Sequence, residues 1–552
     1  MMNSGCCMRH RIRFRAVAFP AIVALLSFLC FPNVPLAQQT APLPSFEELE
    51  AEGAIIGEIR IDNQNIFDLE NPEENNVLYR LANTLHIRTR PAVIRRALLF
   101  KSGERVSVQV IEETERNLRN NSFLYEVVIR PIAYNDGVAD IEVITKDTWT
   151  LDPGLGFSRK GGENESKYGL KELNLLGTGI GVEWQRTEAD AGTSDQFLFN
   201  NNQVFGTRVR FDYSYNDFND GEAQSASLVR PFYALDSRWT AGIQGGFTDQ
   251  LNTIDGASYQ RNRKLASVFG GWSKGLIDGW THRYSGGFDY LQDTYEILPG
   301  QAPPDNEPVD ETRVSPFFRY QVIEDQFLKT KNRNQIERPE YFLLGFASDL
   351  RIGYAATALG STRPAWTYVA SLNKGWDFSR NRILVANGSV AGVYAGSDDE
   401  DQLLSANIQY FAPQSSRAQT FVGLSVDAGN DIFDSNQLTL GGENGLPGYP
   451  ANYQSGDRRV VLNLEQRIYT DWYPFRLFRV GGGLFFDTGR AWGGEQDNAV
   501  NQDWLANVGF GLRVFSVRSA FGTVWRLDVA FPINAPDDIP DHQILLYRST
   551  NF

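Results

Sequence analysis

Trp504-Leu505-Ala506-Asn507-Val508-Gly509-Phe510-Gly511-Leu512-Arg513-Val514-Phe515 is the stretch that decides the fold of this chain. Trp504, Ala506, Val508, Phe510, Leu512 and Val514 alternate with Leu505, Asn507, Gly509, Gly511, Arg513 and Phe515. An extended strand turns successive side chains to opposite faces. One face here is apolar and rich in aromatics, and the other carries Asn, Gly and Arg. Val209, Phe211, Tyr213 and Tyr215 alternate in the same way with Arg208, Arg210, Asp212 and Ser214. So do Trp525, Leu527, Val529 and Phe531 with Arg526, Asp528 and Ala530.

A soluble sandwich would point the apolar face at a shared core, whereas a membrane barrel points it at lipid and lines its interior with the polar face. Two features favour the barrel. Aromatic residues gather near strand ends, as an interfacial girdle requires. The pattern also runs from Trp149 to Phe552, too long for one ordinary sandwich. About twenty strands can be delimited, and an even count of roughly 16 to 20 is expected. The expected fold is mainly β: a transmembrane antiparallel barrel over 148–552. Pro299 to Asp310, Glu324 to Glu340 and Asn430 to Asp457 lack alternation and are expected to be extracellular loops, with short turns such as Gly177-Thr178-Gly179 at the periplasmic end.

The N-terminus reads as a secretory signal peptide over 1–37. Arg9, Arg11, Arg13 and Arg15 precede the apolar run Ala16 to Phe31, and Val34-Pro35-Leu36-Ala37 offers the cleavage site. The run is too short for a spanning helix, which needs ~20 residues, and it contains Pro20. All three cysteines (Cys6, Cys7, Cys30) lie before Ala37, so the expected mature chain has neither disulfides nor thiol chemistry. With four of the 52 basic side chains gone, 48 stand against 67 acids, a net charge of −19. Such a chain is a poor partner for nucleic acid.

Residues 38–53 form a Pro- and Glu-containing linker, and a small α/β unit follows over 54–147. Ile55, Ile56, Ile59 and Ile61 mark a strand. Pro91 opens a helix with Ile94, Ala97 and Leu98 on one stripe. Ser107 caps a second, with Val110, Ile111, Thr114 and Leu118 at helical spacing. Tyr125 to Ile129 and Ala139 to Ile144 are strands joined by the turn Asn135-Asp136-Gly137. Leu98-Leu99-Phe100-Lys101-Ser102-Gly103 and Leu118 to Leu124 in this order of elements resemble a single POTRA domain, the polypeptide-transport-associated module. That resemblance implies a periplasmic unit that receives clients by β-augmentation.

Two late motifs extend the resemblance. Gly441-Gly442-Glu443-Asn444-Gly445-Leu446-Pro447-Gly448-Tyr449-Pro450 is followed by Phe485-Phe486-Asp487-Thr488-Gly489-Arg490-Ala491-Trp492. With Leu173 to Gly179 near the barrel start, they are similar to the surface-antigen barrels of the outer-membrane protein assembly-factor superfamily, the BamA/TamA-like proteins. The loop motif is Leu446, Pro447, Gly448 and Tyr449, with Pro447 where the family usually has Arg. The second motif, Phe485, Asp487 and Gly489, is expected to face the lumen. In relatives the missing Arg sits near the Asp, so Arg458, Arg459 or Arg479 is expected to partner Asp487, because a buried carboxylate wants a cation. Phe552 supplies the terminal aromatic of an assembly signal.

The resemblance implies a protein of the outer membrane, with its N-terminal unit in the periplasm, that inserts or translocates proteins. The implied partners are outer-membrane lipids, unfolded or secreted client polypeptides and periplasmic accessory proteins. The alternative is a passive channel or structural barrel. His10, His86, His282 and His542 are scattered and Ser397 to Asp401 lacks cation-loop spacing, so no enzyme chemistry, metal or other cofactor is expected.

Overall fold

The computed structural model describes residues 43–552 except 161, 190–191, 255–256, 301–307, 379–380, 397–398, 431–436, 494–502, 523, 534, 537–538 and 550–552. The signal-peptide stretch, Phe552, the side chains of the acidic run 397–401 and parts of two predicted loops lie outside the described residues.

The α/β unit begins inside the segment read as a linker. Ser45 and Glu48 form a reciprocal capping box that starts helix α1 (Phe46–Ala51), and Leu49 is buried beneath it. Strand β1 (Ile55–Gln64) follows, then helix α2 (Val77–Leu85), α3 (Pro91–Ala97) and α4 (Val108–Arg119). Strands β2 (Leu124–Asn135) and β3 (Val138–Asp147) complete the unit. The sheet order is β1-β3-β2, with β1 parallel and β2 antiparallel to β3. Asp136 and Gly137 both have positive φ, the two-residue hairpin geometry that their residue types favour. Ile56, Val93, Ile94, Leu98, Ile111, Leu118, Val127, Ile141 and Val143 form one core between the sheet and α3 and α4. Helix α2 was not foreseen. Its apolar residues do not face that core, so they left no second stripe to read against the sheet pattern.

The rest is one closed antiparallel barrel of 20 strands. Its first strand is interrupted, Leu151–Asp152 and Gly156–Lys160 both pairing with Glu163–Glu172. The last five strands are β4 (Arg458–Tyr469), β5 (Phe478–Trp492), β6 (Leu505–Ser516), β7 (Val524–Ile533) and β8 (Gln543–Ser549). Side-chain parity holds along the deciding stretch. Val508, Phe510 and Leu512 of β6 are exposed on the outside, whereas Asn507, Arg513 and Phe515 are buried inside. Val268, Phe288, Phe318, Ile352, Leu404 and Leu527 continue the outward apolar belt. Aromatic pairs flank it: Tyr354–Trp366 at one end, and Trp272–Tyr284 with Tyr284–Tyr320 toward the other. An apolar belt between aromatic girdles around a polar lumen is the construction of a membrane-spanning barrel. Among the described residues no helix is long and apolar enough to cross a membrane.

One expected loop is at the other end. Glu324 to Glu340, read as extracellular, falls largely in the connection 325–346 between strands Glu311–Glu324 and Ala347–Ala355, on the side of the α/β unit. Lys329 Nζ and the Tyr341 hydroxyl both donate to Glu115 of α4 there. Length and lack of alternation had suggested a surface loop, but this hairpin is built to be covered by protein.

Candidate functional site

The site is the lumen and its two closures. The distal closure is the loop before β4. Leu446 and Tyr449 are fully buried with Leu440, Val461, Ala491, Leu505 and Ile539, a small core inside the barrel. The Gly448 amide donates to Asn507 Oδ1 at 3.1 Å, and the Tyr449 hydroxyl donates to the carbonyls of Ala506 and Ile533 at 3.3 Å. A Cβ on Gly448 would stand 2.7 Å from that of Asn507, so this close approach needs glycine.

Asp487 faces the lumen and is buried, but the expected cation is not its partner. Its two oxygens accept from Asn463 Nδ2 and Asn507 Nδ2, each at 2.9 Å. Arg459 instead pairs with Asp427 and donates to the Thr439 carbonyl, Arg458 lies 3.8 Å from Asp457, and Arg479 stacks over Tyr473. The reason lies in Pro447. With no Arg at that place, the loop is reached through its backbone: Gly448 N–H to the Asn507 oxygen, and the Asn507 amide nitrogen to Asp487. Asp487 thus fixes which end of the Asn507 amide meets the loop. Asn463 and Asn507 both fall on inward parity positions, the signal that could have found them. Phe485 is also buried inward, and Gly489 lies two residues beyond Asp487 on the same face.

Below this loop a buried ionic ladder crosses the last strands. Glu465 meets Arg467 at 2.9 Å and Arg513 at 3.1 Å, Arg513 also pairs with Asp528, and Asp528 meets Arg526 and the Tyr547 hydroxyl at 3.3 Å. Buried charges persist only when paired and hydrogen-bonded, and here six side chains from four strands satisfy one another. Elsewhere the lumen holds polar cavities. One of about 600 Å³ is lined by Asp212, Gln244, Asp289, Arg313 and Arg351, and another of about 440 Å³ by Asp349, Asn387, Asn407, Asp427 and Arg459, among others.

The hairpin 325–346 closes the mouth on the α/β side. Ile336 is buried with Tyr469, Phe515, Val517 and Val524, while Phe342 packs against Phe411 and Leu344 against Ile383. These contacts reach barrel strands from different parts of the wall, so the hairpin crosses the opening. Arg333 donates to Gln419 at 2.9 Å and accepts from Arg467 through its carbonyl, and the Tyr469 hydroxyl donates to the Asn332 carbonyl. Its outer side is fastened to the α/β unit: Glu115 takes Lys329 at 2.6 Å and Tyr341 at 3.1 Å, and the Arg116 guanidinium covers the Phe327 ring. Burial alone would raise the Glu115 pKa, but hydrogen bonds from Lys329 and Arg119 hold it below the ordinary glutamate value.

The barrel closes on a sparse seam. β8 pairs with β7 at seven positions from Val524↔Ser549 to Ala530↔Gln543. Toward the first strand, among the described residues, it has one registered pair, Leu546↔Arg159. Arg548 adds a bond to the Leu155 carbonyl at 3.0 Å and an ion pair with Asp152 at 3.6 Å.

No family model and no curated protein matches this sequence. Among solved structures it is similar to CdiB from Acinetobacter baumannii, at 11% identity over 90% of this chain and 74% of that one, with a TM-score of 0.44. It is also similar to CdiB from Escherichia coli, at 12% identity over 89% and 76%, TM-score 0.45. BamA from Haemophilus ducreyi lacking POTRA domains 1–3 aligns at 12% identity over 90% and 84%, TM-score 0.37.

Proposed function

We propose that this chain is an outer-membrane barrel of the assembly-factor kind, which inserts or translocates polypeptides through a seam that parts between its first and last strands. The observation that carries this is the seam itself: among the described residues, one registered pair on one side of β8 against seven on the other. A ladder this short among the described residues offers the backbone of β8 as a template for an added strand. The ionic ladder supports the same reading, because Tyr547 ties β8 to Asp528 of β7 and leaves the first strand as the weaker neighbour. The α/β unit would stand in the periplasm and present clients on the outer edge of β2. Pro131, which lacks an N–H, and a bulge beside it shorten the ladder available there. The luminal loop and the hairpin, which fill the barrel from both ends, speak against a constitutively open channel.

The test is to lock the seam. Leu546→Cys with Arg159→Cys occupies the one registered pair, whose Cα separation in an antiparallel ladder of ~4.5–5.5 Å lies within disulfide range. Oxidised cells should show the loss of other barrels, or of a specific secreted polypeptide, that depletion of the protein produces, and reductant should restore it. Normal levels of both, under depletion and under the lock, with steady conductance in a planar bilayer, would establish the passive channel instead.

A further inference from the structure

Residues 65–90, between β1 and α3, are not required to close the core of the α/β unit. They spread along the barrel rim. Tyr79 of α2 stacks on Phe67 at 4.2 Å and donates its hydroxyl to the Phe475 carbonyl of the 470–477 turn. Arg518, from the turn after β6, reaches Glu74 and the Ile66 carbonyl. At the far end of the segment the Arg90 amide bonds to the Gly177 carbonyl of the 173–179 turn. The segment therefore runs along the rim past the foot of the seam.

At 100° per residue α2 has three sectors. Tyr79, Ala82 and Asn83 face the body of the protein. Arg80 and Thr84 are polar and exposed. Val77, Leu78, Leu81 and Leu85 fall within a single arc of about 100°, and they are 74%, 63%, 52% and 64% exposed. The rim beside them is similar. Phe475 is 75% exposed on the turn that Tyr79 touches, and Phe205 is 100% exposed on another. Leu176, Phe205 and Phe475 all sit at φ near +50°, a conformation costly for bulky residues, and in each turn an apolar side chain is held outward. Water would reward neither the strain nor the exposure. The lipid-facing belt of the barrel continues into this row.

We infer that the Val77/Leu78/Leu81/Leu85 face of α2, with the turn tips at Leu176, Phe205 and Phe475, lies in the lipid interface of the leaflet on the α/β side. The helix lies in the membrane plane, and Arg80, Arg88 and Arg90, all exposed, reach the phosphate headgroups. This holds the α/β unit against the membrane next to the seam. The inference rests on the barrel spanning a membrane.

Single cysteines at 78, 81 and 85, and at the polar positions 80 and 84, carry a nitroxide in full-length protein whose Cys6, Cys7 and Cys30 are serine. The protein is placed in phospholipid nanodiscs, with retained folding checked on an unheated gel. Phe288→Cys and Leu404→Cys on the barrel exterior serve as lipid references. Collision with oxygen should exceed collision with a water-soluble nickel chelate severalfold at 78, 81 and 85, and the ratio should invert at 80 and 84. Nickel access at 78, 81 and 85 with oxygen access at 288 and 404 would overturn the inference. So would access to neither reagent, which would mean that a second copy or another polypeptide covers the helix. Nickel access at 288 and 404 would overturn the membrane-spanning barrel and this inference with it.

Discussion

Replacing Glu115 with Ala should loosen the outer side of the 325–346 hairpin, which Arg116 still holds at Phe327, and leave its luminal side in place. The carboxylate accepts from three groups: Lys329, Tyr341 and Arg119. Arg119 belongs to the same helix, so its bond does not hold the hairpin. The Tyr341 hydroxyl meets a charged acceptor, a contact of about 1.5 kcal/mol. Lys329 is about half exposed, so its ion pair adds only ~0.5 kcal/mol. Together they amount to about 2 kcal/mol, a factor of roughly 30 in the released population. Hydrogen exchange of the amides in Phe327–Thr330 and Glu340–Leu343, which pair only with each other as a two-stranded ladder, should therefore quicken about thirtyfold. Amides near Arg333 and Ile336 should change little, because Gln419, Arg467 and Tyr469 still hold them. The docked pKa of Glu115 is depressed, so its contribution is complete above the ordinary glutamate value and is lost as pH falls through the lower docked value. As pH falls through that docked value, the protection of the wild type should drop to that of the variant, whose protection should stay the same. Equal exchange in the two proteins at neutral pH would falsify this account of the latch.

Asp487→Asn places an amide where two asparagine donors converge. One of them must turn, and if Asn507 turns it presents N–H to the Gly448 N–H. The loop should loosen by about 1–3 kcal/mol, read as faster exchange at 446–449 with barrel strands unchanged. Arg513→Ala leaves Glu465 and Asp528 each short of a buried cation and should cost about 3–5 kcal/mol, read as a lower temperature for loss of heat-modifiable migration. Glu113 is buried and accepts the Leu235 amide at 2.7 Å, with burial pushing its pKa up. Glu113→Gln keeps that acceptor without a buried charge and should be near neutral in thermal stability, whereas Glu113→Ala strands the amide at a cost of about 1–3 kcal/mol.

Strand parity was legible because it is a local property: the period of two in 504–515 assigns Asn507 and Arg513 to the inside without knowledge of any neighbour. The helices α3 and α4 were legible for the same reason, since their stripes face a core built within the same hundred residues. What parity could not supply is pairing. Asp487 was assigned a cation on the general ground that buried carboxylates need one, yet two amides met the need, because β4 and β6 each bring an Asn to the same level of the lumen. The hairpin 325–346 was misplaced because its apolar residues, Phe327, Ile336 and Phe342, contact strands and a helix remote in sequence. Helix α2 escaped notice because one apolar sector faces the rim and the other faces away from the protein, so its pattern matches no single buried stripe.

The placement of the strong contacts says where this barrel can give way. β8 is tied on its inner side to the ionic ladder, and the ladder continues through Arg467 into the Arg333 carbonyl of the hairpin. The hairpin in turn is fastened to α4. A movement of the α/β unit that pulls on Lys329 and Tyr341 thus acts on a chain of buried polar contacts that ends at β8. Within the ionic ladder, losing one charged partner would bare a buried charge, at about 3–5 kcal/mol. Across the seam, among the described residues, parting removes one registered pair and the half-exposed contacts of Arg548, each worth about 1 kcal/mol or less. The same pull therefore opens the seam before it breaks the ladder. On this ordering the Glu115→Ala variant, which loosens the tie between the α/β unit and the chain, should impair client handling while leaving the seam as easy to cross-link as in the wild type.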